Sequence, residues 1–170
     1  MAAVVQVRTY HGAGPTSGDV TNATIRMKRA DDDTQDAAAP VPIPSAGVAR
    51  SWRKSLKIYA TTGPDNQLTN LRIYSDGVSL GTATTIWIAL ASSYTQASSA
   101  DESAAISAVD VDTYTSVSPL TIQAGEVLAA AETGDGDTGQ DFVELQLEIG
   151  STAVPGNSAE KTLTYQWDEV

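Results

Sequence analysis

Hydrophobic positions along the 170-residue chain recur with period two, in short runs separated by Gly, Pro, Asp, Asn and Ser. The alternation is clearest where Val143, Leu145, Leu147 and Ile149 interleave with Glu144, Gln146 and Glu148, the pattern of a strand with one buried face. A polar loop with Pro155 and Gly156 follows, and then Leu163, Tyr165 and Trp167 alternate with Thr162, Thr164 and Gln166. The two runs predict strands of one core, held by Leu145, Leu147, Leu163, Tyr165 and Trp167. Val5 with Val7, Ile25 with Met27, Leu56 with Ile58 and Leu71 with Ile73 repeat the pattern and predict further short strands. Asp76-Gly77 predicts a hairpin between the run Leu71 to Tyr74 and the run Val78 to Leu80, because Gly adopts positive φ without strain. Thr84 to Leu90 reads as another strand, with either Ile86 and Ile88 or Trp87 turned inward.

Two segments break this rhythm. Residues 30–47 carry three consecutive aspartates, an Ala triplet and the alternating Pro40, Pro42 and Pro44, which favour an extended arm. Residues 91–118 are crowded with Ser, Ala, Thr and Asp, and Ser99 with Glu102 predicts a cap for one short helix over about residues 100–109. Long segments of this kind carry function or reach toward a neighbour more often than they idle. They supply the contact candidates Pro40, Pro42, Pro44 and Tyr94. Together the runs and segments predict an all-β fold: an antiparallel β-sandwich, jelly-roll-like or immunoglobulin-like, with long extended loops. Residues 1–170 are expected to form a single domain, since a chain of this length can bury one sizeable core.

Composition narrows the partners. The net charge of −11 sets up a field that repels phosphates, so nucleic acid is not expected as a partner. The one basic cluster, Arg50, Arg53, Lys54 and Lys57 around Trp52, reads more simply as a solvated strand face beside a buried Trp. No apolar run approaches the roughly 18 residues of a membrane helix, and the first residues lack a basic segment followed by a long apolar run, so neither membrane nor export signal is expected.

Candidate chemistry is sparse. The chain has no Cys, which removes disulfides, thiolate metal sites and thiol nucleophiles. His11, the only histidine, sits in a Tyr-His-Gly-Ala-Gly-Pro segment with no Gly-x-Ser-x-Gly elbow to support a triad, and reads as a surface-loop residue. Carboxylates abound, yet nothing selects a hydrolytic pair. The run from Asp135 to Asp141 spaces oxygen ligands as a calcium turn would, but it departs from the EF-hand pattern at Gly139 and Gln140, so a plain loop is favoured. Asp31, Asp32, Asp33 and Asp36 read as a solvated charge run. Nucleotide-binding glycine motifs are missing. A non-catalytic protein without metal or cofactor is expected.

Three stretches resemble small virion structural proteins of tailed bacteriophages: Ser51 to Leu56, Asn66 to Tyr74, and the carboxyl region from Leu147 to Gly156 and Leu163 to Glu169. The likeness is one of style and segment order over about half the chain, and it transfers no catalytic or metal residue. It implies a protein of the virion that binds the major capsid protein or other virion subunits, as a capsid decoration subunit or as a tail or head-to-tail accessory protein. A homo-oligomer is expected. A different use of the same sandwich, as a carbohydrate-binding module, would need Trp52, Trp87 or Tyr94 on an exposed stacking strip.

Overall fold

The computed structural model describes residues 2–135, 140–156 and 159–170. The strands are β1 (Val4–His11), β2 (Thr16–Asp19), β3 (Val48–Arg50), β4 (Lys54–Thr62), β5 (Leu68–Ser75), β6 (Thr84–Ala91), β7 (Val109–Asp110), β8 (Leu120–Leu128), β9 (Phe142–Gly150) and β10 (Leu163–Glu169). A larger sheet has the order β2-β1-β4-β9-β6-β7, with β3 also on β9, and a smaller one the order β10-β5-β8. Every ladder is antiparallel, and the two sheets pack together as an all-β sandwich. From β4 onward the chain changes sheet at every connection except β6 to β7. No hairpin therefore holds the sandwich together; its cohesion comes from contacts distant in sequence.

Alternation explains the core. Leu56 and Ile58 of β4, Ile88 of β6 and Val143 and Leu145 of β9 face Leu68, Leu71 and Ile73 of β5 and Ile122, Val127 and Leu128 of β8 in one buried cluster. Ile86 and Leu90 pack against this cluster from β6, so that face of the strand turns inward. Leu163, Tyr165 and Trp167 pack half-buried against it from β10. Leu147 is half-buried and stands beyond the sealed core. At Asn70 the β5 chain takes φ 54°, which places Asn70 and Leu71 opposite the single residue Trp167 in a bulge. The Asn70 side-chain amide donates to Asp168 Oδ2 at 2.8 Å and holds the bulge.

Several expectations need correction. Asp76-Gly77 makes no hairpin: Gly77 does adopt φ 72°, but β5 lies in the small sheet and the next strand, β6, in the large one. Asp76 instead closes a local turn through Val78 N–H and ties it to Thr162 N–H. Residues 25–27 form no strand; Ile25 and Met27 pack on the core from irregular backbone. The helix expected over about residues 100–109 is one 3-10 turn, Ser99–Glu102, capped by Ser98 and completed by Asp101 in a capping box. The sequence signal was a real cap, one residue earlier, on a turn that tertiary hydrogen bonds halt.

The two ends of β9 yield a direct test. Leu145→Ala should cost about 2–5 kcal/mol in urea-unfolding stability, because it opens a cavity under the small sheet, and Leu147→Ala less than half as much. The Tyr165 hydroxyl is buried and has no hydrogen-bond partner. Tyr165→Phe should therefore leave the melting temperature unchanged or raise it, since a buried unpaired hydroxyl costs about 1–3 kcal/mol.

Candidate interaction site

The outer face of β9 carries Phe142, Glu144 and Gln146, all buried. A half-buried strand with Glu144, Gln146 and Glu148 on the solvent side was the expectation, and for Glu144 and Gln146 it is overturned by residues 94–106, which lie across this face. Gln146 explains how polar groups can be covered there. Its amide nitrogen donates to the carbonyls of Ser51 (3.1 Å) and Asp101 (2.8 Å), and its amide oxygen accepts from Ile106 N–H (3.1 Å). Arg53 lies beside it, donating to Asp101 Oδ1 through Nε and Nη2 (2.9 and 2.7 Å) and to both Glu144 oxygens through Nη1 (3.3 Å each). These bonds tie residues 98–106 to β9 and to Arg53, so the segment is bound down on the sheet.

Aromatic and basic side chains are committed in the same way. Trp52 donates its indole N–H to Glu102 Oε1 at 2.9 Å. Tyr94 donates its hydroxyl to Gly12 O at 3.0 Å and tilts against Phe142, with ring centroids 6.0 Å apart. Trp52, Trp87 and Tyr94 are each half-buried, and they form no exposed stacking strip. Arg50 pairs with Glu148 at 2.7 Å, Lys54 donates to the carbonyls of Ala30 and Asp32, and Lys57 sits over the Phe142 ring. The basic cluster around Trp52 is thus committed within the fold, Arg50 and Arg53 to carboxylates, Lys54 to carbonyls and Lys57 to a ring, where a solvated face was expected.

The aspartate run is likewise built into the fold. Asp31 accepts from Gly12 N–H at 2.9 Å, and Asp33 stands 3.6 Å from His11 Nε2. The Asp33 carboxylate also fills the space over Gly18, where a Cβ would fall 2.0 Å from its oxygen, so a side chain there would displace it. Lys28, only 2% exposed, pairs with Asp32 at 2.6 Å and Asp36 at 3.0 Å. Burial pushes the Asp32 carboxyl up, but the Lys28 ammonium and the Thr34 hydroxyl and N–H outweigh it and hold the group at about 2. The loop from Asp135 to Asp141 falls partly outside the described residues. Of its described members, Gln140 accepts from Ile58 N–H and donates to Asp135 O, fastening the loop to β4. Among the described residues no group of three or more His, Asp or Glu side chains is placed to hold a metal ion.

What remains open is an uncharged groove, lined by aliphatic side chains together with the small polar Ser79, Thr82 and Thr84. Leu147 and Ile149 share the inward face of β9 with Val143 and Leu145, yet they floor a groove of about 660 Å³ at the end of the sandwich. Val41 and Ile43 of the proline arm form one wall, and Leu80 and Val154 stand on the others. No charged side chain lines it among the described residues. Ile43, Val48, Val78 and Val154 are exposed, Val154 at 77%. Pro40 and Pro42 are exposed and Pro44 half-buried, so the prolines present Val41 and Ile43 to the groove. The alternation in β9 marked this face as apolar; that it runs beyond the small sheet could be seen only in the fold.

Comparison with known proteins adds no relative: no family model, no curated protein and no solved structure matches the chain.

The acid limb of stability tests the Lys28 cluster. The Asp32 pKa lies below its ordinary value in the folded state, so its contribution is complete above about pH 4 and is lost as pH falls toward 2. Asp32→Asn should remove on the order of 1 kcal/mol at neutral pH, a figure discounted for solvent screening of a carboxylate 37% exposed. Its unfolding free energy should also vary less than the wild type's between pH 5 and pH 2, as read by chemical denaturation across that range.

Proposed function

We propose that the protein is a structural subunit of a tailed-bacteriophage virion, seated on the capsid lattice as a decoration or stabilising protein through its uncharged groove. The observation that carries this reading is the groove itself. An uncharged concavity whose walls include the exposed Ile43 and Val154 gains free energy when another protein covers it. Among the described residues its lining carries no charged side chain, which suits it to burying surface against another protein. The tied-down loops support the same role. Polar segments held by Gln146, Arg53 and Lys28 keep the free subunit folded, while the arm prolines hold the groove wall extended at little entropic cost. The stretches that resemble phage virion proteins include the two groove-floor residues Leu147 and Ile149 and the Val154 wall.

The test is to add the purified protein to phage capsids that lack it, then image them and measure their heat stability. Ordered density at capsid lattice positions and a raised disruption temperature are expected. Ile43→Asp with Val154→Asp should weaken binding by about tenfold or more, since it forces charges into the covered surface. Density on tails or at the portal would move the subunit to a tail or head-to-tail position. No ordered density on any virion part would refute the proposal.

A further inference from the structure

The small sheet ends in a strand whose outer edge is open. Hydrogen bonds from Asp76 N–H to Thr162 O (3.0 Å), and in both directions between Gln67 and Val170 (3.0 Å each), set the parity of β10 against β5. With Thr164 opposite Tyr74, Gln166 opposite Arg72 and Asp168 opposite Thr69, the even-numbered residues of β10 bond to β5. The backbone N–H and C=O groups of Leu163, Tyr165 and Trp167 therefore point away from the sheet. Among the described residues no hydrogen bond to them is found.

The other outer strands are shorter or irregular. The outer strand β7 has two residues, and β2 has four, including Gly18 beneath the Asp33 carboxylate. On the far side of the small sheet, β8 breaks register with β5 at three places. Such bulges and short strands obstruct the addition of another strand. The bulge at Asn70 lies in β5 and leaves β10 itself continuous over seven residues. It carries no proline, and between Thr162 and Trp167 no charge.

We propose that the free edge of β10 is a self-pairing surface, on which β10 of a second copy adds antiparallel about a two-fold axis through Tyr165. The backbone parity demands this centre or one close to it, because Tyr165 then exchanges both hydrogen bonds with its own copy and Leu163 pairs with Trp167. Charge favours the same register. Thr164 falls opposite Gln166 of the copy, Asp168 opposite Thr162, and Glu169, which accepts from Ala3 N–H, opposite Lys161, which is held by Asp112, so along β10 no carboxylate meets another although each chain carries −11. Asp168 is already paired with Arg72 at 3.0 Å. The pairing joins two three-stranded sheets into one continuous sheet and leaves the groove of each copy, lined by other elements, uncovered by β10. It goes beyond the lattice reading and does not depend on it.

The purified protein, 17.7 kDa as a monomer, should sediment as a dimer at micromolar concentration. Thr164→Glu with Gln166→Glu sets like charges face to face on the solvent side of the joined strands and should give monomers of unchanged circular dichroism. Thr164→Lys with Gln166→Glu makes the same positions complementary and should restore the dimer. Because the chain has no Cys, Thr164→Cys mixed with Gln166→Cys should cross-link under mild oxidation faster than either variant alone, these residues forming the close, non-hydrogen-bonded pair. A wild-type monomer at all concentrations, or a dimer indifferent to the double-Glu change and without the mixed cross-link, overturns the proposal. In the monomer case the edge is left to a strand of a different protein.

Discussion

Everything in this fold leans on β9, because it is covered on both faces and its two faces are chemically unlike. One face offers Val143 and Leu145 to the small sheet, where burial alone rewards contact. The other places Glu144 and Gln146 out of water, where each polar group must find a partner or cost about 1–3 kcal/mol. Gln146 meets that demand with the Ser51 and Asp101 carbonyls and the Ile106 N–H, and in doing so it dictates where residues 51–53 and 98–106 lie. Arg53 then satisfies Asp101 and Glu144 together. The loops are positioned by the needs of a buried strand, not by their own preferences.

The same logic operates at the other end of the large sheet. Lys28 and Lys54 are buried cations, and their ammonium groups are met by Asp32, Asp36 and two main-chain carbonyls. Removing one partner from such a site leaves an uncompensated charge, so the segment from Lys28 to Asp36 is held as a unit. Burial also pushes the Lys54 pKa down, as expected for an ammonium among carbonyls rather than against a carboxylate. These polar clusters absorb side chains that would otherwise make a basic patch or an acidic tail. What they leave to the surroundings is an acidic exterior, an uncharged groove and, among the described residues, the open edge of β10.

The strands were legible from alternation, as in Leu56 with Ile58, Leu71 with Ile73, Val143 through Ile149 and Leu163 through Trp167, because a two-residue period and a single buried face leave a direct imprint on sequence. Ile25 with Met27 shows the limit: two apolar residues spaced by two pack equally well from irregular backbone. Asp76-Gly77 shows another, since the dipeptide specifies a turn but not which sheet receives the following strand. The groove was half legible. Leu147 and Ile149 were marked as apolar, while Leu80, Val41 and Val154, which complete it, carry no common signal.

By itself, then, the sequence determined the all-β class, the apolar face of each main strand and an inventory with one His and no Cys, since these follow from residue type and local spacing. Tertiary structure alone decided that Gln146 and Glu144 are buried, that the aspartate run is bound to Lys28, His11 and Gly12, and that the apolar face of β9 emerges at one end as an open groove. The physical reason is one of range. Periodicity reports what a strand wants on each side, but whether water, a loop or a second sheet supplies it depends on residues fifty to a hundred positions away, such as Ser51 for Gln146.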